Sequence, residues 1–270
     1  MTKGMIAKEQ TNVPKLSKAT IIALKRTSSR MQKGPDGERV FIRFSLSQRW
    51  EHQILIFSFT LLAITGLVQR YSDQPFISGL INYGMGGIET VRLFHHIAAI
   101  IFFLEGIFHL WQILVMLFVN RESSNMLPSL KDVSDLLQMI SFNLGKTNKR
   151  PQFDRYTVEE KIEYWALIWG SIIMMITGII QWFPIQTTRI FPGIAVPISR
   201  VIHSWEAVLA TLSILIWHMY HAVIKEKNKS IFTGMMSEKL MKEEHPLEYK
   251  RILRANEILS NANIETQKES

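Results

Sequence analysis

The chain has 270 residues, 47% of them apolar, with a formal net charge of +8 and no cysteine. Without thiols it has no ligand for iron-sulfur clusters or thiolate zinc, no disulfide and no attachment point for c-type haem. The positive balance suits nucleic acid or anionic lipid until its distribution along the chain is read.

Residues 1–46 are polar and basic, and their apolar patch from Ile21 to Leu24 is too short for a signal-peptide core. KGPDGE, from Lys33 to Glu38, marks a turn. This stretch reads as a cytoplasmic extension that lies on a surface, docks a subunit or stays loosely ordered.

Four stretches then have the length and apolarity of membrane spans: Trp50 to Val68, Leu93 to Val119, Tyr164 to Phe183 and Val201 to Val223. Ser45 or Ser47 caps the first, Trp50 sits at the interface, and His52 follows about one turn inside. Near its other end, Gly66 beside Thr65 lets a macrocycle or a neighbouring backbone approach. The outer loop from Arg70 to Arg92 holds INYGMGGIE, whose glycines are turn chemistry and lack the context of a phosphate cradle.

The second span carries His95, His96, Glu105 and His109. From His95 to His109 is about 21 Å with a drift of about 40°, whereas His96 points to a different face. Glu105, four residues before His109, shares its face and is placed to orient an imidazole, carry protons or sit as a protonated structural acid. In the inner loop from Asn120 to Val158, apolar residues at Leu130, Val133, Leu136, Leu137 and Ile140 predict a short amphipathic helix ended by Gly145. Such a helix lies along the membrane face or binds a peripheral subunit.

The third span has no histidine; Met174 and Met175 read as packing, Gly170, Ser171 and Gly178 favour close helix contact, and the span closes the bundle without ligating. The fourth carries His203, His218 and His221. His203 to His218 is about 22 Å with a drift of about 60°, and His203 to His221 about 27 Å on one face. Ala207, Ala210 and Ser213 leave room between these levels. The tail from Lys225 onward is charged and reads as solvated or partner-contacting, with His245 on the surface.

Lysine and arginine set the orientation. Eleven lie in residues 1–49, seven between Arg121 and Lys161 and nine from Lys225 onward, against only Arg70, Arg92, Arg189 and Arg200 in the other two loops. By the positive-inside rule both termini and the central loop are cytoplasmic, and the excess charge is topological, with no nucleic-acid partner implied. The expected fold is an all-α, membrane-spanning four-helix bundle: extension 1–46, haem-binding bundle 47–225 and cytoplasmic tail 226–270.

Ionisable residues inside a span are costly and point to function. Here His52, His95, His109, His203, His218 and His221 fall at two levels, as needed to clamp two flat cofactors edge-on between helices. Iron porphyrin with two axial histidines fits, which is haem b in a chain without cysteine. A histidine-lined proton or metal-ion transporter is the alternative, against which stands the lack of an inverted repeat or of broken helices with mid-span Gly or Pro pairs. A cofactor-free anchor leaves the histidines unexplained.

SQRWEH, RLFHH with GIFH, EKIEYWALIWG, and VIHSWEA with WHMYH together resemble the bacterial di-haem cytochrome b subunits of formate dehydrogenases, nickel-iron hydrogenases and thiosulfate reductases, over roughly Phe41 to Tyr249. The resemblance implies one haem toward the periplasm on His95 and His203, and one toward the cytoplasm on His52 and His218. His109 and His221 are then surplus. Either His109 replaces His52 as partner of His218, or the surplus ligates a third haem, or it hydrogen-bonds propionates or a quinone; two haems is the simplest reading. The resemblance further implies an inner-membrane electron-transfer subunit of an oxidoreductase complex. It would link a membrane quinone, near His52, His109 and His221, to a periplasmic redox subunit with iron-sulfur clusters or c-type haems.

Overall fold

A computed structural model describes residues 17–119, 125–225 and 228–268. The beginning of the expected extension, residues 120–124 of the inner loop and the junction at 226–227 lie outside them.

Helix α1 (Lys18–Ser28) starts behind Ser17, whose hydroxyl accepts the Thr20 N–H at 3.1 Å. Strands β1 (Met31–Lys33) and β2 (Arg39–Ile42) form an antiparallel hairpin around the expected turn, where Gly37 takes φ 78°. The first membrane helix, α2 (Leu46–Arg70), begins at Ser45, which forms a capping box with Gln48. A short α3 (Pro75–Gly79) and a turn carrying Gly86 and Gly87 at positive φ lead into α4 (Ile88–Val119). Helix α5 (Leu130–Asn143) is the expected inner-loop helix, ended by Gly145 at φ 69°. Its Leu130, Val133, Leu137 and Ile140 remain exposed, while Met139 packs with Phe153 and Val158.

Helix α6 (Val158–Trp182) opens with a second capping box, Thr157 with Glu160. After α7 (Pro184–Ile190), α8 (Ala195–Lys225) is the fourth span; its second half runs as π-helix over Ser213–His218 and Tyr220–Lys225. These four helices are long and apolar enough to cross a membrane, and they agree with the four expected spans. Helix α2 packs against α4 and α8, and α6 against α8. Ser58 and Ala98, small and without exposed surface, mark where the backbones come close. Most other span side chains face outward, which suits a lipid solvent.

The tail departs from expectation. Helix α9 (Ser230–Thr233), strand β3 (Met235–Ser237), α10 (Glu238–Glu244) and α11 (Pro246–Lys268) fold back onto the N-terminal segment. Strand β3 pairs antiparallel with β2, Phe41 opposite Met236, so the all-α membrane bundle carries a three-stranded sheet in order β1-β2-β3 outside it. Phe41, Met236, Met241 and Ile252 form its core, and α1 lies on α11, where Ser28 Oγ donates to Asn256 Oδ1 at 2.6 Å.

Charges close this module onto the bundle. Glu248, 1% exposed, meets Arg30 at 2.8 Å and Arg155 at 3.0 Å, while Arg43 bridges Glu248 at 3.6 Å and Glu160 of α6 at 2.9 Å. Burial by itself would raise the Glu248 pKa; Arg155, Arg43 and Arg30 outweigh it and hold the carboxyl below the ordinary carboxylate range. Arg150 and Glu244 add a bidentate pair. His245 is buried, not on the surface, with Nδ1 2.8 Å from the Asp154 carbonyl; burial first, then Arg43, pushes its pKa down. Of the two readings of this tail, solvated or partner-contacting, the second describes Glu244, Glu248 and Arg251, whose partners Arg150, Arg155 and Asp154 lie far away in the same chain.

Candidate functional site

At the bundle end away from the module, His95 of α4 faces His203 of α8, ring centres 6.4 Å apart. Thr65 Oγ1 of α2 lies 2.9 Å from His95 Nδ1, and Thr177 Oγ1 of α6 lies 2.9 Å from His203 Nδ1. Each threonine already donates its proton one turn back, to the Leu61 carbonyl at 2.6 Å and the Ile173 carbonyl at 2.7 Å. The imidazoles must therefore donate from Nδ1, which leaves each Nε2 with a free lone pair. The next residue in each helix is glycine: a Cβ at Gly66 would lie 3.2 Å from His95 Cε1, and one at Gly178 would lie 3.4 Å from His203 Cε1. Both positions keep room for a ring.

At the module end, His52 of α2 faces His218 of α8 with ring centres 6.2 Å apart. His218 Nδ1 donates to Glu163 Oε2 at 2.8 Å, while the buried His52 Nδ1 has no hydrogen-bond partner among the described residues. His109 is directed elsewhere: Nδ1 donates to Glu51 Oε2 at 2.8 Å, and Nε2 accepts from the Tyr164 hydroxyl at 3.0 Å. Thus the carboxylate that orients His109 is Glu51 of α2, and not Glu105 on its own helix. His221 donates to the Trp217 carbonyl at 3.1 Å and lies 3.7 Å from Glu163 Oε1. His96 stacks on Trp182 with ring centres 4.0 Å apart, on the different face expected of it.

Two imidazoles bound from opposite sides to one metal ion, at about 2 Å per bond and about 1 Å from nitrogen to ring centre, place their ring centres about 6 Å apart. Both facing pairs have that spacing. The donor set, two neutral imidazoles per level in an apolar bundle, fits an iron porphyrin.

A sequence profile of prokaryotic cytochrome b561 matches residues 43–238. The chain belongs to the prokaryotic cytochrome b561 family. It is similar to the nitrate-inducible formate dehydrogenase cytochrome b556(Fdn) subunit of Escherichia coli K12, 25% identical over 80% of this chain and 94% of that one. The formate dehydrogenase cytochrome b556(fdo) subunit of the same strain is 23% identical over 80% of this chain and 95% of its own length. The formate dehydrogenase cytochrome b556 subunit of Haemophilus influenzae is 22% identical over 77% of this chain and 82% of its own length. A member of the cytochrome b561 family is a membrane electron-transfer protein with b-type haem, as the sequence analysis expected.

Within this cytochrome b561 the two helical hairpins repeat each other. Ile64-Thr65-Gly66 with Gln69 in α2 recurs as Ile176-Thr177-Gly178 with Gln181 in α6, and each glutamine donates to its threonine's carbonyl, at 3.1 and 3.2 Å. Glu51 precedes Thr65 by fourteen residues, as Glu163 precedes Thr177, and the two carboxylates take corresponding histidines, His109 and His218. His218 lies fifteen residues after His203, where His109 lies fourteen after His95. The π-helical turn Ser213–His218 absorbs the extra residue and brings His218 back into register.

Next to the paired carboxylates the repeat departs: Tyr164 stands where the first hairpin has His52. So His218 faces an imidazole and His109 faces a phenol. Sequence reasoning missed Glu51, Glu163, Tyr164 and Thr177. Their signal is a direct repeat, a glutamate fourteen residues before the threonine of Ile-Thr-Gly in both hairpins, which is distinct from the inverted repeat of a transporter.

Proposed function

We propose that this cytochrome holds two b haems, one on His95 and His203 and one on His52 and His218, and joins a membrane quinone to a redox subunit on the far side. The support is the pair of imidazole couples at 6.4 and 6.2 Å, one at each end of the bundle. Bound haem supplies one-electron chemistry at two depths of the bilayer. The chain's own residues fix that arrangement: Thr65 and Thr177 set the tautomer at one level, and Glu163 orients His218 at the other.

The distribution of lysine and arginine supports a cytoplasmic module and cytoplasmic termini, which makes the His95 and His203 level periplasmic. The formate dehydrogenase names of the relatives support a place as membrane subunit of an oxidoreductase complex, whose periplasmic side carries iron-sulfur clusters or c-type haems in partner chains. Quinone chemistry belongs at the module end, where His109 sits between Glu51 and Tyr164 in a protonatable chain, with His221 nearby. His109 and His221 have no role as ligands in this reading.

A pyridine haemochromogen assay on the purified full chain, normalised to protein, tests it. About two b haems per chain is the expected result. Three would bring His109 into ligation, and none in a folded sample supplied with haem would overturn the proposal.

A further inference from the structure

The two haem levels proposed above differ in what lies behind their imidazoles, and that difference carries an inference which rests on the ligand pairs just assigned. At the far level both Nδ1–H groups donate to neutral hydroxyls, Thr65 and Thr177, each at 2.9 Å. At the module level His218 donates to a carboxylate oxygen of Glu163 at 2.8 Å, and His52 Nδ1 has no acceptor among the described residues. A carboxylate is a much stronger acceptor than a hydroxyl and draws the Nδ1 proton toward itself. The imidazole then gains imidazolate character and becomes a stronger donor at Nε2, which favours the ferric state of iron bound there.

We propose that Glu163 is a positioning residue that lowers the reduction potential of the haem between His52 and His218 by hydrogen bonding to His218 Nδ1. Its other oxygen, Oε1, has no hydrogen bond among the described residues and lies 3.7 Å from His221, so the Oε2 contact to His218 is the short one. The repeat supplies an internal control. Glu51 makes the same 2.8 Å contact in the first hairpin, but to His109, which faces Tyr164 and is no ligand in this assignment. The two carboxylates make the same contact to an imidazole, but in this assignment only the one at Glu163 reaches a histidine that carries iron.

The test is an optical redox titration of the purified full chain carrying two haems. In Glu163→Gln the reduction equilibrium of one haem moves toward the ferrous form by about tenfold, about 59 mV for a one-electron couple, while the second haem and the haem count stay unchanged. The shift persists in a His203→Ala background, where only the module-end haem remains. Glu51→Gln leaves both midpoints in place. An unmoved midpoint in Glu163→Gln, an equal shift in Glu51→Gln, or a shift confined to the other haem overturns the proposal.

Should Glu163→Gln fail to load that haem, near-infrared magnetic circular dichroism of the oxidised unsubstituted protein decides. One haem with marked imidazolate character and one without supports the role of Glu163; two alike overturn it. A chain without haem, or one losing other haems than the assigned pairs require, strikes the ligand assignment itself and is seen before Glu163 is altered.

Discussion

Arg43 and Glu248 face each other at 3.6 Å with each side chain 1% exposed, joining the end of β2 to α11 at the point where the module meets α6. Breaking such a pair strands a buried charge. Glu248→Ala should destabilise the module by about 3 to 5 kcal/mol. Limited proteolysis of the detergent-solubilised chain checks this, with faster cleavage in residues 228–262 and the membrane helices still protected. Unchanged cleavage would show that the network adds nothing to cohesion.

Acid should loosen the same module, and the sign follows from two groups. Glu248 has a folded pKa below its ordinary 4.5, so its stabilisation is complete above that value and is lost as pH falls through the folded pKa. His245 has a folded pKa below its ordinary 6.5; the unfolded chain takes up its proton first, so stability drops as pH falls from 6.5 toward the lowered value. Both slopes run the same way. Melting temperature measured from pH 8 down past the folded pKa of Glu248 should fall in two stages, and His245→Asn should flatten the stage nearer neutrality.

Gly66→Ala places a Cβ 3.2 Å from His95 Cε1. The ring must shift by a few tenths of an ångström, which disturbs its aim, so we expect weaker retention of the far-level haem with the module-end haem kept, read as a lower haem content and a diminished α-band for one haem. Thr177→Val keeps the space but removes the acceptor for His203 Nδ1. It should weaken haem retention at that level by about 10- to 100-fold, and Thr177→Ser should restore it.

His109→Gln should leave the haem count unchanged, because both ring nitrogens are occupied by Glu51 and Tyr164. The converse change is more demanding. Tyr164→His makes the second hairpin match the first at the position of His52, opposite an imidazole whose ring centre already lies 5.8 Å from that of Tyr164. A haem assay on Tyr164→His should find a third b haem; a count unchanged from the unsubstituted protein would mean that the repeat does not extend to the space around the cofactor.

The membrane helices and the two histidine levels were legible in the sequence because lipid demands long apolar runs and a helix converts residue number into depth. The partners of the histidines were not, since Thr65, Thr177, Glu51 and Glu163 reach them from other helices and no local pattern records such a contact. His218 would be mis-aimed by counting on a regular helix, because the π turn before it shifts the register. The module was hidden for a different reason. Arg43, Arg155, Glu244 and Glu248 look like solvated charges until the chain ends are brought together.

The sheet β1-β2-β3 draws its central strand from residues 39–42 and its last from residues 235–237, with all four membrane helices between them. During synthesis β2 emerges early and keeps an unpaired edge until the final span has been made and inserted. Closure of the sheet therefore reports that insertion is finished. A chain truncated within α8 leaves Phe41 uncovered and Arg30, Arg43 and Arg155 without Glu248, an open sheet edge beside a cluster of like charges.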